Sequence, residues 1–197
     1  MPSVRASLLP ALALLAGCST VRESEPPRTA TEELLISSAV DHALAGLQLN
    51  IPAATKVWVD TDYFDAYDQK YAIGAIRDYL EHRGARLMPD RGSAEVVVEI
   101  RSGALSTNSS SWIIGVPTLT LPVPTVGPAQ TPELALLQEQ RDVGVAKIGI
   151  TIYDAKTGAL IPYSPSAPVF GLSHNTDWTL LTLFGWKRTD AIPPGAE

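Results

Sequence analysis

The segment that most constrains the fold is residues 143–153, in which apolar and polar side chains alternate from Ala146 onward. Successive side chains of a strand point to opposite faces, so this alternation predicts a β-strand with one buried face. A turn containing Gly158 and a short apolar segment follow, which together predict a β-hairpin over residues 143–161. The side chains predicted to face the core are those of Ala146, Ile148, Ile150 and Ile152.

Two helices are predicted in the first half of the chain. Residues 29–32 have the form of a capping box, and the apolar residues after them recur at helical spacing. A second helix is predicted with Asp65 as its N-cap and Gly84 as its C-cap. It lies between predicted strands at residues 56–60 and 86–88, and these three elements indicate a βαβ-like unit.

Further strands are predicted at residues 94–101, 169–172 and 178–186 from runs of β-forming side chains. The elements together predict an α+β or α/β fold, with a mixed, largely antiparallel sheet of about five to six strands and two main helices packed on it. We expect a single domain over residues 31–188, followed by a loose C-terminus at residues 189–197.

Residues 102–130 differ in composition from the rest of the chain, because a serine-rich tract is followed by apolar residues interrupted by proline. Proline removes backbone donors, which predicts an irregular insertion here, and residues 131–133 predict the start of a short helix after it. The apolar side chains within residues 106–127 either bind a partner or fold back as a lid over the sheet. That partner is a protein, another subunit in self-association, or the membrane. The candidate partner-binding residues are Trp112, Ile113, Ile114 and Val116.

The N-terminus indicates export and lipid attachment. Residues 1–17 combine a basic start with a short apolar run, which is the pattern of a secretory signal, and the run is too short to cross about 30 Å of hydrocarbon. Ala16-Gly17 before Cys18 resembles the bacterial lipobox, which implies cleavage there and a diacylglycerol on the cysteine sulfur. Residues 18–30 then form a polar tether. A serine stands directly after the cysteine, where an inner-membrane retention signal has aspartate, and this favours the outer membrane, facing the periplasm.

The charge balance restricts the kind of partner. The chain has 15 basic and 21 acidic residues, which is a formal net charge of −6. An acidic chain without a basic patch is not suited to bind nucleic acid or to hold anionic lipid through charge, so membrane attachment has to come from acyl chains. Cys18 is the one cysteine of the sequence, which excludes an intrachain disulfide.

A second interpretation places an envelope hydrolase or a metal- or ligand-binding site in the acidic cluster at residues 60–68. The candidate carboxylates are Asp60, Asp62 and Asp65, since open α/β sheets bind ligands at the C-terminal ends of their strands. The cluster does not fit an EF-hand, because Tyr71 stands where the bidentate glutamate belongs. A simpler explanation of the cluster is helix capping, with Asp65 as the N-cap and Asp68 in the first turn.

Ser173, His174 and Asp177 contain the residue types of a hydrolytic triad. Neighbours in sequence are seldom arranged as a triad, and no Gly-x-Ser-x-Gly nucleophile elbow is present. We therefore expect no catalytic residue, and the sequence indicates no cofactor and no metal ligand set. A binding or assembly protein is favoured over an enzyme.

Several segments together resemble a family of uncharacterised bacterial lipoproteins. They are the lipobox and residues 112–127, 131–137 and 144–160, and the resemblance covers nearly all of the chain after the signal. It implies lipid attachment at Cys18 and brings no established activity or catalytic residue. More distantly, the order of elements is similar to that of the periplasmic α/β domain of curli-secretion-type lipoproteins, a likeness of fold from which function does not follow.

Overall fold

The computed structural model describes residues 28–123 and 127–192, which form two α-helices and eight β-strands. The helices are α1 (Ala30–Ala45) and α2 (Gln69–His82), and a single 3₁₀ turn spans Arg91–Ser93. The strands are β1 (Lys56–Tyr63), β2 (Arg86–Leu87), β3 (Val96–Val116), β4 (Thr120–Val123), β5 (Gly127–Gln130), β6 (Leu134–Asp154), β7 (Val169–Leu180) and β8 (Phe184–Thr189).

Six of these strands form one sheet in the order β2-β1-β3-β6-β7-β8, and β4 pairs with β5 in a separate hairpin. β1 runs parallel to β2 and to β3, whereas β3, β6, β7 and β8 pair antiparallel. The sheet is therefore mixed and largely antiparallel, and the predicted α+β fold with two main helices is confirmed. The βαβ unit of β1, α2 and β2 is also present, with its two strands as parallel neighbours.

α1 begins at the predicted capping box and lies directly on two strands. The Thr29 hydroxyl accepts a hydrogen bond from the Glu32 N–H, and the Glu32 carboxylate accepts one from the Thr29 N–H at 2.8 Å. The helix backbone comes so close to β6 and β7 that a Cβ on Gly144 or Gly171 would overlap it. Glycine at these two positions permits this close approach. The buried side chains of α1 are Leu35, Ile36, Ala39, Val40, Ala43 and Leu44.

The hydrophobic core lies between the two helices and one face of the sheet, which we call the inner face. Val98 and Ile100 of β3 are fully buried there beside the aliphatic side chains of β6. Burying one aliphatic side chain of this size contributes about 1.5–3 kcal/mol, so this layer is the main source of stability. All four side chains of β6 predicted to face the core are buried, which are those of Ala146, Ile148, Ile150 and Ile152.

The start of α2 differs from the prediction. Its N-cap is Asp68, whose side chain makes no capping hydrogen bond, so Asp65 is not the cap. Asp65 lies in the loop after β1, where its N–H donates to the Ser102 hydroxyl at 3.1 Å and its carbonyl oxygen accepts from that hydroxyl at 2.8 Å. This tertiary contact overrides the local capping preference. Gly84 follows the helix with φ of +89°, the left-handed conformation that ends many helices.

The prediction of an irregular insertion at residues 102–130 is wrong. β3 continues through the serine-rich tract and pairs with β6 along its whole length. The prolines do not interrupt this ladder, because Pro117 follows the end of β3, and Pro122 lies opposite Pro128 in the β4–β5 hairpin outside the main sheet. Residues 131–133 do not start a helix either and lead directly into β6, because pairing with β3 overrides the local proline and capping signals.

Two further strand predictions need correction. Residues 159–161 are not a return strand, because they make only an isolated bridge to the end of β6, and β6 pairs with β7. Residues 178–186 are two strands instead of one. The chain reverses at residues 181–183, where Leu181 and Thr182 have φ of 51° and 60°, a left-handed conformation that a tight turn imposes on them.

The sheet has two regions along its length. Leu105 is the last buried residue of β3. We call the part of the molecule that contains it and both helices the core half; it consists of residues 28–105, 144–173 and 190–192. The region beyond it, formed by residues 106–123, 127–143 and 174–189, is called the distal arm. With a rise of about 3.3 Å per residue, β3 extends about 35 Å past the core half.

Candidate functional site

The predicted partner-binding residues lie at the far end of β3, on the distal arm. β3 bulges at Gly103, which shifts the alternation of its side chains by one position. Trp112 and Ile114 therefore point away from the helices, to what we call the outer face, and are 42% and 55% exposed. Val116 is exposed as well, whereas Ile113 points to the inner face and is partly buried. The segment is a strand of the sheet and not a lid over it.

Three tryptophans lie side by side on the outer face of the distal arm. The register places Trp112 opposite Glu139, which is itself opposite Trp178, and Trp178 is opposite Trp186. The rings of Trp112 and Trp178 meet edge to face with centroids 5.9 Å apart, and those of Trp178 and Trp186 stack at 6.0 Å. Aromatic pairs of this kind add about 0.5–1.5 kcal/mol beyond the area they bury. We call Trp112, Trp178 and Trp186 the tryptophan row.

Glu139 lies within the tryptophan row and is buried. The Trp112 Nε1–H donates to its Oε2 at 2.5 Å, and the Arg141 guanidinium donates to its Oε1 at 2.9 Å. A buried carboxylate destabilises a fold unless it is paired, and here both oxygens have a partner. The arrangement fixes the orientation of the Trp112 ring and makes the row a rigid surface.

The end of the distal arm exposes large apolar side chains on several segments. We call this set the apolar tip; it lies on the β4–β5 hairpin, at the start of β6 and at the β7–β8 turn. The chain between Arg101 and Glu133 contains no charged residue. Large exposed apolar surfaces are typical of interaction sites, which makes the tip a candidate binding surface. Its residues are Leu119, Leu121, Leu134, Leu136, Leu181, Leu183 and Phe184.

Trp178, Trp186 and Phe184 also belong to this surface, although the sequence pattern did not indicate them. A single strand over residues 178–186 carries these aromatic residues along one line, whereas the observed hairpin brings Trp186 back onto Trp178, which itself lies against Trp112. The hairpin has a signal in the sequence. The acidic Asp177 and the basic residue after Trp186 bracket a charge-free segment, and opposite charges placed in this way pair well across two strands.

The acidic cluster at residues 60–68 does not form a joint site. Asp60 is buried and accepts a hydrogen bond from the Asp62 N–H at 3.1 Å, while Asp68 pairs with Arg28 at 2.8 Å. Within residues 28–123 and 127–192, no group of three or more His, Cys, Asp or Glu side chains is arranged to hold a metal ion. The Asp60 and Asp68 carboxylates thus have separate structural partners.

Ser173 and His174 meet Asp190 and not Asp177. The buried Ser173 hydroxyl and the His174 N–H both donate to Asp190 Oδ1 at 2.6 Å. Burial favours the neutral acid, but these hydrogen bonds outweigh it and hold the pKa of Asp190 below its ordinary value. The hydroxyl is closed to a substrate, so the cluster works as a clasp between β7 and the end of β8. The C-terminus, predicted to be loose from residue 189, is therefore held as far as Asp190.

A cleft of about 780 Å³ separates α1 from α2. The Tyr71 hydroxyl donates to the two carboxylate oxygens of Asp41 across it, at 3.0 and 2.9 Å. Burial and this hydrogen bond raise the pKa of Tyr71 to about 12. The phenol therefore stays protonated and braces the two helices instead of acting as a base.

The predicted lipid-attachment residue, Cys18, lies outside the described residues, and its modification stays a prediction. Among the described residues, neither helix has both the length and the apolar composition that crossing a membrane requires. The described chain starts at Arg28, whose pairing with Asp68 places the beginning of the domain beside the start of α2.

Comparison with known families identifies this chain more closely. Residues 11–181 match DUF6655, a family of unknown function, and this range includes Cys18 and both Trp112 and Trp178. Trp186 and the rest of β8 lie beyond it. Among curated proteins, none matches the chain. Because the match covers most of its length, the chain belongs to the DUF6655 family of unknown function.

Proposed function

We propose that this protein is a lipid-anchored component of the bacterial envelope that acts by binding or assembly through its distal arm. Acyl chains on Cys18 hold it at the outer membrane, facing the periplasm, and the distal arm contacts a partner there. The observation that carries the proposal is a rigid tryptophan row beside an exposed apolar tip, on a part of the sheet that lies outside the hydrophobic core.

The anchor is supported by the sequence and by the range of the family match. Ala16-Gly17 directly precedes the one cysteine, and the match begins at residue 11, so it includes this segment. One acyl chain holds a protein to a bilayer only marginally, whereas two or more make the attachment effectively permanent. Ten residues of chain span at most about 35 Å, so Arg28 lies within that distance of the bilayer.

The binding role is supported by the rigidity of the exposed aromatic surface. Tryptophan supplies a large contact area with few rotatable bonds, and it dominates the energetics of many interfaces. Ring stacking and the hydrogen bond to Glu139 hold the row in one arrangement before any partner arrives, which lowers the entropy lost on binding. A catalytic role has no support of this kind, since Ser173 is buried and the Asp60 and Asp68 carboxylates have separate structural partners.

The anchor is tested by Cys18→Ser in cells supplied with labelled palmitate. We expect the unchanged protein to carry the label and to sediment with the envelope, and the variant to carry none. A variant that keeps the label would overturn lipid attachment at Cys18.

The binding surface is tested by photocrosslinking in whole cells. A photoreactive amino acid replaces Phe184 on the apolar tip or, as the matched control, Leu160 in the core half, since these side chains are 61% and 69% exposed. We expect adducts with protein or lipid from position 184 and few from position 160. Equal yields at the two positions, or none at either, would show that the distal arm is not the binding surface.

A further inference from the structure

The chemical character of the side chains changes along the distal arm, from its free end toward the core half. The apolar tip comes first, the tryptophan row follows, and charged side chains lie on the core side of the row. Between the row and the free end, the described part of the arm contains one charged residue, Glu133. The charged side chains on the core side are those of Arg141, Asp142, Asp177, Lys187 and Arg188.

The same order is found in a lipid bilayer, where the acyl chains are followed by the headgroups and then by water. Leucine and phenylalanine favour the acyl chains, the indole ring favours the headgroup region because it has both an apolar body and an N–H, and charged groups favour water. The tip also exposes leucines on three separate segments, the β4–β5 hairpin, the start of β6 and the β7–β8 turn. A folded partner covers one face of a surface, whereas lipid can surround a projecting end.

We propose that the apolar tip inserts into the surface of a lipid bilayer and places the tryptophan row at the level of the headgroups. This inference rests on the proposed function and names the bilayer as the partner of the distal arm. Burial of apolar side chains drives the insertion, because a chain with a net charge of −6 is not attracted to anionic lipid. Binding is therefore expected to be insensitive to salt.

The backbone limits how deep the tip reaches. β8 is an edge strand, and within the described residues the second side of β3 has no paired strand beyond Arg101. Unpaired N–H and C=O groups are not tolerated in hydrocarbon, so these edges keep the sheet out of the bilayer centre. Insertion stops at the boundary of headgroups and acyl chains, about 5–10 Å deep. Proline removes N–H donors at the end itself, at Pro117, Pro122, Pro128 and Pro132.

Tryptophan fluorescence tests the insertion directly. The full chain carrying Cys18→Ser, which excludes a lipid on that sulfur, is mixed with phosphatidylcholine vesicles whose acyl chains are brominated. Adding Trp58→Phe leaves only the tryptophan row as emitter, whereas replacing the three row tryptophans by phenylalanine leaves only Trp58 of β1. We expect bromine to quench most of the emission of the first protein and little of the second, with no change when phosphatidylglycerol or salt is added.

A matched pair of variants assigns the binding to the tip. In the same Cys18→Ser chain, Leu136→Ser with Leu183→Ser should weaken vesicle binding at least about tenfold. Leu34→Ser with Leu160→Ser, two exposed leucines of the core half, should leave it unchanged. All four side chains are exposed, so each protein is expected to keep its unfolding midpoint, which is measured alongside.

The outcomes separate this inference from the proposed function. If the tryptophan row is not quenched but position 184 still crosslinks to protein in cells, the bilayer is the wrong partner and the binding role stands. If vesicle binding occurs but is lost equally in both leucine pairs, the tip is not the contact and the inference is overturned. If neither quenching nor crosslinking is found, both the inference and the proposed function fail.

Discussion

The core half and the distal arm share strands β3, β6 and β7 and differ in what covers them. Ile148 and Ile114 both belong to the β3–β6 ladder, yet Ile148 is fully buried under the helices and Ile114 is 55% exposed. The alternation of side chains along a strand determines to which face of the sheet each one points. Whether that face becomes core or surface depends on a second element, and in the described structure only the core half has helices packed against it.

The two regions also use their tight contacts differently. In the core half, glycine lets a helix backbone rest on the sheet, and the contact excludes any larger side chain. In the distal arm, aromatic rings and one buried carboxylate hold each other in place on a surface that stays open. The core half is therefore suited to stability and the arm to recognition, and substitutions should affect the two regions unequally.

The largest difference in the free energy of unfolding is expected between the variants Ile148→Ala and Ile114→Ala. The first removes a buried side chain from the core and should lower the free energy of unfolding by about 3 kcal/mol, whereas the second removes an exposed one and should lower it by less than about 1 kcal/mol. Urea unfolding of the two variants measures both values. Similar losses would show that the distal arm is packed as firmly as the core half.

A smaller contrast is expected between Gly171→Ala and Gly185→Ala. A Cβ at Gly171 meets the Ala39 carbonyl oxygen, so α1 has to shift, and the free energy of unfolding should fall by about 2 kcal/mol. At Gly185 in β8 the nearest atom to a Cβ is the Trp178 carbonyl oxygen at 3.4 Å, an ordinary contact. Thermal unfolding should therefore show little change for Gly185→Ala. An equal loss at both positions would mean that α1 does not rest on β7.

Asp190→Asn tests the clasp at the border of the two regions. The folded pKa of Asp190 lies below the ordinary value of 3.8, so its stabilisation is fully present above that pH and is lost as the pH falls through the folded pKa. The variant should be less stable than the parent by about 1 kcal/mol at neutral pH, and the difference should narrow in acid below 3.8. Urea midpoints over this pH range measure it, with Asp62→Asn as the control. A difference that stays constant with pH would exclude the charge of Asp190 as the cause.

The core half was predictable because its signals are local. The capping box at Thr29 and Glu32 and the alternation from Ala146 to Ile152 each occupy a few consecutive residues, and both are found where the sequence indicates. Buried strands and amphipathic helices leave such patterns whenever one face meets the core. The fold class followed from these elements alone.

The distal arm was not predictable in the same way, because its strands are defined by pairing between residues that are far apart in the sequence. The serine-rich part of β3 has no buried face and so carries no hydrophobic alternation; its strand is defined by its ladder with β6. Trp112 and Ile114 were predicted as binding residues because they are apolar. Glu139 and Trp178 contact Trp112 only because the sheet places their strands side by side. A site assembled from four strands has no local signature at any one of them.

The smallest effect is expected from divalent metal, which would act on the core half at the end of β1. A site filled at ten times its Kd adds about 1.4 kcal/mol, which raises the melting temperature of a domain of this size by about 3–6 °C. Because Asp60 and Asp68 already have protein partners, millimolar calcium, magnesium or zinc should produce no such rise. A rise that disappears in Asp62→Asn would locate a metal site there. That result would place a ligand site in the core half and would count against the proposal that the distal arm is the binding region.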